Sequence, residues 1–262
     1  MKILLDPGHG PGKKDNRGSL IGNEGDNNYA FSVELKKELE KYGFQVGTTR
    51  LQNRENPSLK ERGHMAKNYD LFISLHSNAG PPSARGMEIY GDINNNNPSL
   101  MRALIDGTCR EMGIVNRGIR YRTRKDGRFH IQDHSPGGSN YYGVLYHNRA
   151  KVAMLVEFVF HSNWEDCQIY VHRRSQLAKV FAKILADYYN KKEKYIISCY
   201  ITGYEKAQEY SKKLECPLLP HDYYNYTKGS WKEFKDKNYK IIAIGGVRSN
   251  HSSYCDEFIP GK

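Results

Sequence analysis

Short apolar runs alternate with amphipathic stretches along most of the chain. Residues 2–5 (KILL) read as a short buried strand that stops at Asp6-Pro7-Gly8. Over 28–43 (NYAFSVELKKELEKYG), Ala30, Val33, Leu35 and Leu39 return at roughly helical spacing, and Gly43 supplies a C-terminal stop. FQVGTTR (44–50) predicts a strand, and LKERGHMAKN (59–68) predicts a second helix. DLFISLHSNA (70–79) opens as an apolar strand and turns polar at His76. Further strands are predicted at 86–91 (GMEIYG), 141–147 (YYGVLYH) and 150–160 (AKVAMLVEFVF), and further helices at 99–113 and 165–189. Residues 92–98 (DINNNNP) form a polar loop, and 116–140, rich in Arg, Gly and Ser, read as an exposed loop with some strand. Strands alternating with helices of this length predict an α/β fold, a twisted, largely parallel sheet flanked by helices on both faces.

After the polar stretch NKKEK (190–194) the pattern starts again with YIISCYI (195–201), EKAQEYSKKLE (205–215) and KIIAIGG (240–246). This predicts a domain over 1–190 and a second, smaller α/β domain over 195–262. A length of 262 residues suits that division. No run approaches the ~18 apolar residues of a membrane span. The opening MKILLDPGHG lacks the apolar region of a signal peptide. The expectation is a soluble protein that does not insert into a membrane and stays in the cytoplasm until another route releases it.

Charge narrows the partners. The net charge is +11, and residues 195–262 hold 10 Lys+Arg against 8 Asp+Glu, so an excess of 9 lies on the first 194 residues. A basic protein seeks polyanions, but no nucleic-acid-binding module is recognisable, and nucleic acid is not expected as a partner. The five cysteines are scattered, odd in number and free of any CxxC spacing, which argues against a disulfide framework and against a thiolate metal site.

A hydrolytic zinc site needs three protein ligands, an open position and usually a carboxylate base. His9, Glu24, His76 and Glu157 are the candidates. His9 and His76 fall where strands end, the position at which such sheets bind ligands. Glu24 lies on the loop before the first helix. Taken singly, His9 also reads as a turn residue, Glu24 as a solvated acid and His76 as a structural histidine. Glu157 is the stronger anomaly, because it interrupts Val152–Val156 and Phe158–Phe160 with a charge that is costly to bury. His130 and His134 are four apart, but Pro136-Gly137-Gly138 favours a loop over a helix. They are kept, with His161, as candidates for substrate contact.

DPGHG (6–10), Glu24 in NEG, SLHSNA (74–79) and LVEFVFHSN (155–163) together resemble the four blocks of the zinc N-acetylmuramoyl-L-alanine amidases of the amidase-3 type. Thr49-Arg50 and Leu59-x-x-Arg62 agree with the same pattern. The resemblance covers about residues 1–190. It implies that His9, Glu24 and His76 hold one Zn2+ and that Glu157 is the general base. It also implies bacterial peptidoglycan as the partner, to which the positive charge adds anionic wall polymers. Pro11 and Val159 stand where that family usually has glycine. Residues 195–262, through the IAIGG block, are similar to the wall-binding domains of endolysins from clostridial phages. The expected function is therefore a phage or prophage endolysin. A host autolysin, a spore-associated amidase and an inactive wall-binding protein stay open beside it, as does the oligomeric state.

Overall fold

A computed structural model describes residues 1–12, 19–124, 129–131, 135–199, 203–220, 231, 234–235, 239–246 and 255–260, with the backbone alone at 129–131 and 220. The chain divides into two compact units, residues 1–39 with 44–190 and residues 40–43 with 191–262.

In the first unit, β1 (Lys2–Pro7), β2 (Gln45–Thr48), β3 (Leu71–Asn78), β4 (Met87–Gly91), β5 (Asn116–Arg122), β6 (Phe129–Ile131) and β7 (Val152–Phe160) form one sheet in the order β2-β1-β3-β7-β4-β5-β6. The pairs β1–β2, β1–β3, β3–β7 and β4–β5 are parallel, whereas β4–β7 and β5–β6 are antiparallel. The fold is thus mixed α/β with a largely parallel sheet, as expected. Successive residues of a strand face opposite sides, and β7 shows the consequence. Phe158 packs on Phe31 of α1 (Glu24–Lys41), Tyr170 of α5 (Trp164–His172) and Phe181 of α6 (Arg174–Tyr188). The opposite face buries Leu4, Phe72, Tyr90 and Leu155 beneath Val144 and Leu145 of α4 (Gly143–Tyr146) and Ala66, the C-cap of α2 (Leu59–Met65).

Four elements differ from expectation. Helix α1 starts at Glu24, because Asn23 caps it by accepting from the Asp26 N–H at 3.1 Å. Glu24 is therefore on the first helical turn, and Phe31 rather than exposed Val33 belongs to the core. YYGVLYH forms the short helix α4, not a strand. Asn140, just before it, ties it to the segment after β4, accepting from Ile93 N at 2.9 Å and donating to Leu145 O at 3.3 Å, and this tertiary tie overrides β-propensity. The expected helix over 165–189 breaks at Arg173 (φ −111°, ψ 22°) into α5 and α6. Residues 116–122 form an internal strand with Ile119 and Tyr121 buried, disguised in sequence by Gly118, whose φ of 86° interrupts the alternation. The remaining helix, α3 (Pro98–Met112), is capped by Asn97 and stops at left-handed Gly113.

The second unit is a four-stranded parallel sheet in the order β11-β10-β8-β9, made of β8 (Tyr195–Cys199), β9 (Leu218–Pro220), β10 (Lys240–Ile244) and β11 (Glu257–Ile259), with helix α7 (Tyr204–Leu214). Both faces are covered, as parallel sheets require. Ile197, Ile242 and Ile244 pack with Ala207 of α7, and Ile196 and Ile241 pack with Trp231. Gly245 and Gly246 end β10 in left-handed conformation. Among the described residues, no helix is long and apolar enough to cross a membrane.

Candidate active site

The carboxyl ends of β1, β3 and β7 share one edge of the sheet. There β1 passes into Gly8-His9-Gly10, and His76 of β3 is in register with Glu157 of β7. Gly8 donates its N–H to Leu75 O at 2.9 Å, and a Cβ on Gly8 would lie 2.2 Å from the His76 ring. Only glycine lets the backbone approach that ring. The next residue, His9, takes the left-handed conformation (φ 61°) that side chains seldom adopt. Its carbonyl is held by Arg62 at 2.7 Å and Arg50 at 3.2 Å, two arginines buried beside β1. Arg62 also meets Asp6 at 2.9 Å, and Asp6 accepts from Thr49 and Ser74 at 2.6 and 2.7 Å.

Helix α1 brings Glu24 to the same point. Its first turn presses on the glycine loop so closely that a Cβ on Gly25 would lie 2.0 Å from Gly10 O. Glu24 Oε1 accepts from Ser77 N at 3.1 Å and Asn28 Nδ2 at 3.3 Å and meets His76 Nδ1 at 3.1 Å, while Oε2 is 3.3 Å from His9 Nε2. Burial works to raise the Glu24 carboxyl. The hydrogen bond and charge of His76, the charge of His9 and the Ser77 N–H outweigh it and bring the group down to about 2.

One donor atom from each of His9, Glu24 and His76 lies within 4.8 Å of the others. Donors placed 2.0–2.2 Å from a tetrahedral zinc would sit roughly 3.4 Å apart. Glu24 meets the two histidines through different oxygens, Oε1 3.1 Å from His76 Nδ1 and Oε2 3.3 Å from His9 Nε2, each near that spacing, and the donor set suits the ion. These three residues form a possible metal site.

Glu157 borders it from β7. Its Oε2 is buried and, among the described residues, has no hydrogen-bond partner. Burial pushes the carboxyl up to about 8, opposed by the charge of His76 and aided by those of Glu24 and Glu88. An orphaned carboxylate oxygen beside a metal site is a poor structural element and a good proton acceptor.

A family model described as N-acetylmuramoyl-L-alanine amidase, Amidase_3, matches residues 3–187. The chain belongs to this amidase family. No curated protein sequence matches the amidase. Among solved structures it is similar to the catalytic domain of CwlV, an N-acetylmuramoyl-L-alanine amidase from Bacillus (Paenibacillus) polymyxa, at 20% identity and TM-score 0.59 over 73% of this chain and 99% of that one. It is similar to an N-acetylmuramoyl-L-alanine amidase from Clostridium difficile 630 at 23% identity and TM-score 0.57, over 72% and 96% of the two chains. The catalytic domain of an endolysin targeting Clostridia difficile follows at 21% identity and TM-score 0.50, over 71% and 97%. At these identities the likeness is one of fold.

Of the other histidines, His161 of the amidase is 2% exposed, with Nδ1 2.9 Å from Ser77 Oγ and 3.9 Å from Glu24 Oε2. It stands behind Glu24. His130 has its backbone in β6 opposite Tyr121, with a side chain outside the described residues, as is the whole of His134. Sequence reasoning missed Glu88, which is 3% exposed and directly opposite Glu157 on β4. The signal was available, since GMEIYG carries an acid inside an apolar strand just as VAMLVEF does. A cavity of about 260 Å³ opens beside His9 and His76, lined by Asn56, Pro57, Ser58, Leu59 and Val144. The close approach at Gly8 gives a prediction. Gly8→Ala should displace the His76 ring and weaken metal affinity about tenfold or more, the scale of a disturbed metal shell, measured by competition with a chromophoric chelator. Wild-type affinity would show that the ring moves aside without cost.

Proposed function

We propose that this amidase is zinc-dependent and cuts the amide between N-acetylmuramic acid and L-alanine in peptidoglycan. His9, Glu24 and His76 would hold the metal, and Glu157 would be the general base. The observation that carries this reading is the convergence of two histidines and one carboxylate beside a buried carboxylate oxygen with no partner among the described residues. Bound there, zinc supplies Lewis acidity to the scissile carbonyl and to the attacking water. Glu157 takes the proton of that water as its oxygen bonds to the carbonyl carbon, then delivers it to the alanine nitrogen as the C–N bond breaks. The products are a lactyl carboxylate on muramic acid and a free alanine amine. Asn28 and Ser77 keep the Glu24 carboxylate oriented, and Arg50 and Arg62 keep the His9 backbone in place.

The test is chemical analysis of digested walls. Chelation should abolish digestion and zinc should restore it, with new alanine amino termini and lactyl carboxyls in equal amounts. New reducing sugar ends, or full activity in metal-free protein, would end the reading.

The wider role we propose is that of a phage or prophage endolysin, with the second unit binding the wall. Support comes from the resemblance of residues 195–262 to clostridial endolysin tails and from their fold as a separate compact unit. A pore-forming holin gene beside this one would favour the endolysin over a host autolysin or spore-associated amidase. The tail role has its own test. The excess of 9 positive charges on the first 194 residues can bind an anionic wall at low salt, and such binding fades as salt rises. Full-length protein should therefore outlast residues 1–194 on whole cells at physiological ionic strength. Equal lysis by the folded truncation at both salt levels would remove the targeting role.

A further inference from the structure

Beyond Glu157 the same face of the sheet carries a second charged group. Glu88 of β4 is the register partner of Glu157, and Tyr90 is the register partner of Arg120 on β5. Glu88 accepts from Tyr90 Oη at 2.6 Å and Asn78 Nδ2 at 3.3 Å. It is also paired with Arg117, and with Arg120 at 3.4 Å. Left-handed Gly118 and the shifted β4–β5 register turn Arg117 to the face occupied by Arg120. Farther along β5, Arg122 lies over the Tyr141 ring at 3.5 Å and bonds Tyr142. Two arginines of β5 thus stand against one carboxylate of β4, with Arg122 held apart on the tyrosines. The cluster is not sealed, because the Arg117 side chain is 33% exposed and that of Arg120 13%. Arg120 Nε is a buried donor with no partner among the described residues.

A structural salt bridge needs one guanidinium for one carboxylate. Two guanidiniums on one carboxylate leave donors to spare, and Arg117, a third exposed, can turn some of them to an anion from outside while Arg120 backs it from within. The position of the pair says which anion. Neighbouring strands lie about 4.8 Å apart, so β5 runs roughly 10 Å from Glu157, with its arginines reaching back toward Glu88. A peptide leaving the scissile amide advances at most about 3.5 Å per residue, so its second residue lies ~7 Å away. In peptidoglycan that residue is a D-glutamate joined through its side chain, whose α-carboxyl is either free or amidated.

We infer that Arg117 and Arg120 form a subsite for the free α-carboxylate of the second stem residue, so that the enzyme discriminates against walls amidated there. The inference rests on the amidase reading above. It is tested with two disaccharide-dipeptides, one ending in L-Ala-D-isoglutamate and one in L-Ala-D-isoglutamine. The expected kcat/KM is about tenfold or more in favour of the acid, the scale of a charge-assisted hydrogen bond. In Arg120→Gln and Arg117→Gln the ratio should fall toward one. Binding of the two free dipeptides to the protein, followed by NMR titration, should show the same preference and the same loss. Equal rates on both substrates by the unaltered protein would overturn the inference without touching the amidase reading. So would a preference that survives both substitutions. Cleavage of neither substrate, and of no wall amide, would instead remove the amidase reading and the subsite with it.

Discussion

Glu157→Gln is expected to leave the proposed metal binding intact and to lose roughly 10²–10⁴-fold in turnover, the usual contribution of general acid–base catalysis. The substitution keeps the shape of the side chain and removes only its capacity to carry a proton back and forth. His9→Ala and His76→Ala should fail differently, by losing the metal. A second measurement separates the chemical role from a structural one. In the metal-free protein, burial holds the Glu157 carboxyl up to about 8, against 4.5 for an ordinary glutamate. The folded state therefore prefers the neutral group. That stability is fully present below about 4.5 and is lost as pH rises through about 8. Glutamine is neutral throughout, so metal-free Glu157→Gln should melt no lower than the unaltered protein at pH 8, and relatively higher there than at pH 4. Near-normal turnover with zinc bound would move the base elsewhere. A marked fall in melting temperature at pH 8 would mean that the carboxylate supports the fold.

Most of this site was readable before any coordinates, for a physical reason. Polar atoms that fold against a sheet edge leave a local trace, such as an acid inside Val152–Phe160 or a histidine where Leu71–Leu75 turns polar. The Pro7-Gly8-His9-Gly10 turn was also legible as a turn, and Gly8 within it approaches His76 closely. What escaped was what depends on distant partners. Asn140 converts an aromatic, β-branched segment into α4 through bonds to Ile93 and Leu145. Arg173 divides one amphipathic run into α5 and α6 while its Nη1 bonds Met112 O at 3.2 Å. Gly118 hides β5 by breaking its alternation, and with β5 it hides the arginines beside Glu88. The antiparallel insertion of β4 between β7 and β5 is equally silent in sequence, since strand direction leaves no mark on side-chain period.

Arg62→Leu should be among the most destabilising single substitutions in the first unit. Arg62 is 2% exposed and uses its guanidinium on five acceptors. These are Asp6 Oδ1 at 2.9 Å, Pro7 O at 2.6 Å, His9 O at 2.7 Å, Asn56 Oδ1 at 3.0 Å and Pro57 O at 2.8 Å. Leucine fills much of the space but leaves Asp6, 1% exposed, with only the hydroxyls of Thr49 and Ser74. Removing one member of a buried ion pair costs about 3–5 kcal/mol, because the other charge stays in place. For a unit of this size, each kcal/mol lowers the melting temperature by about 2–4 °C, so a fall of roughly 10 °C is expected. The same substitution takes one of two arginines from the carbonyl of His9, the residue held at φ 61°. Metal affinity should therefore fall about 10–100-fold even where the protein remains folded. Arg62→Lys separates the two effects. It restores a positive charge to Asp6, but an ammonium cannot span acceptors on both sides of a planar fork. Most of the stability should return while the metal affinity stays low. If Arg62→Lys restores both, charge alone fixes the His9 turn. If Arg62→Leu melts with the unaltered protein and binds zinc as tightly, the buried network does not hold the site.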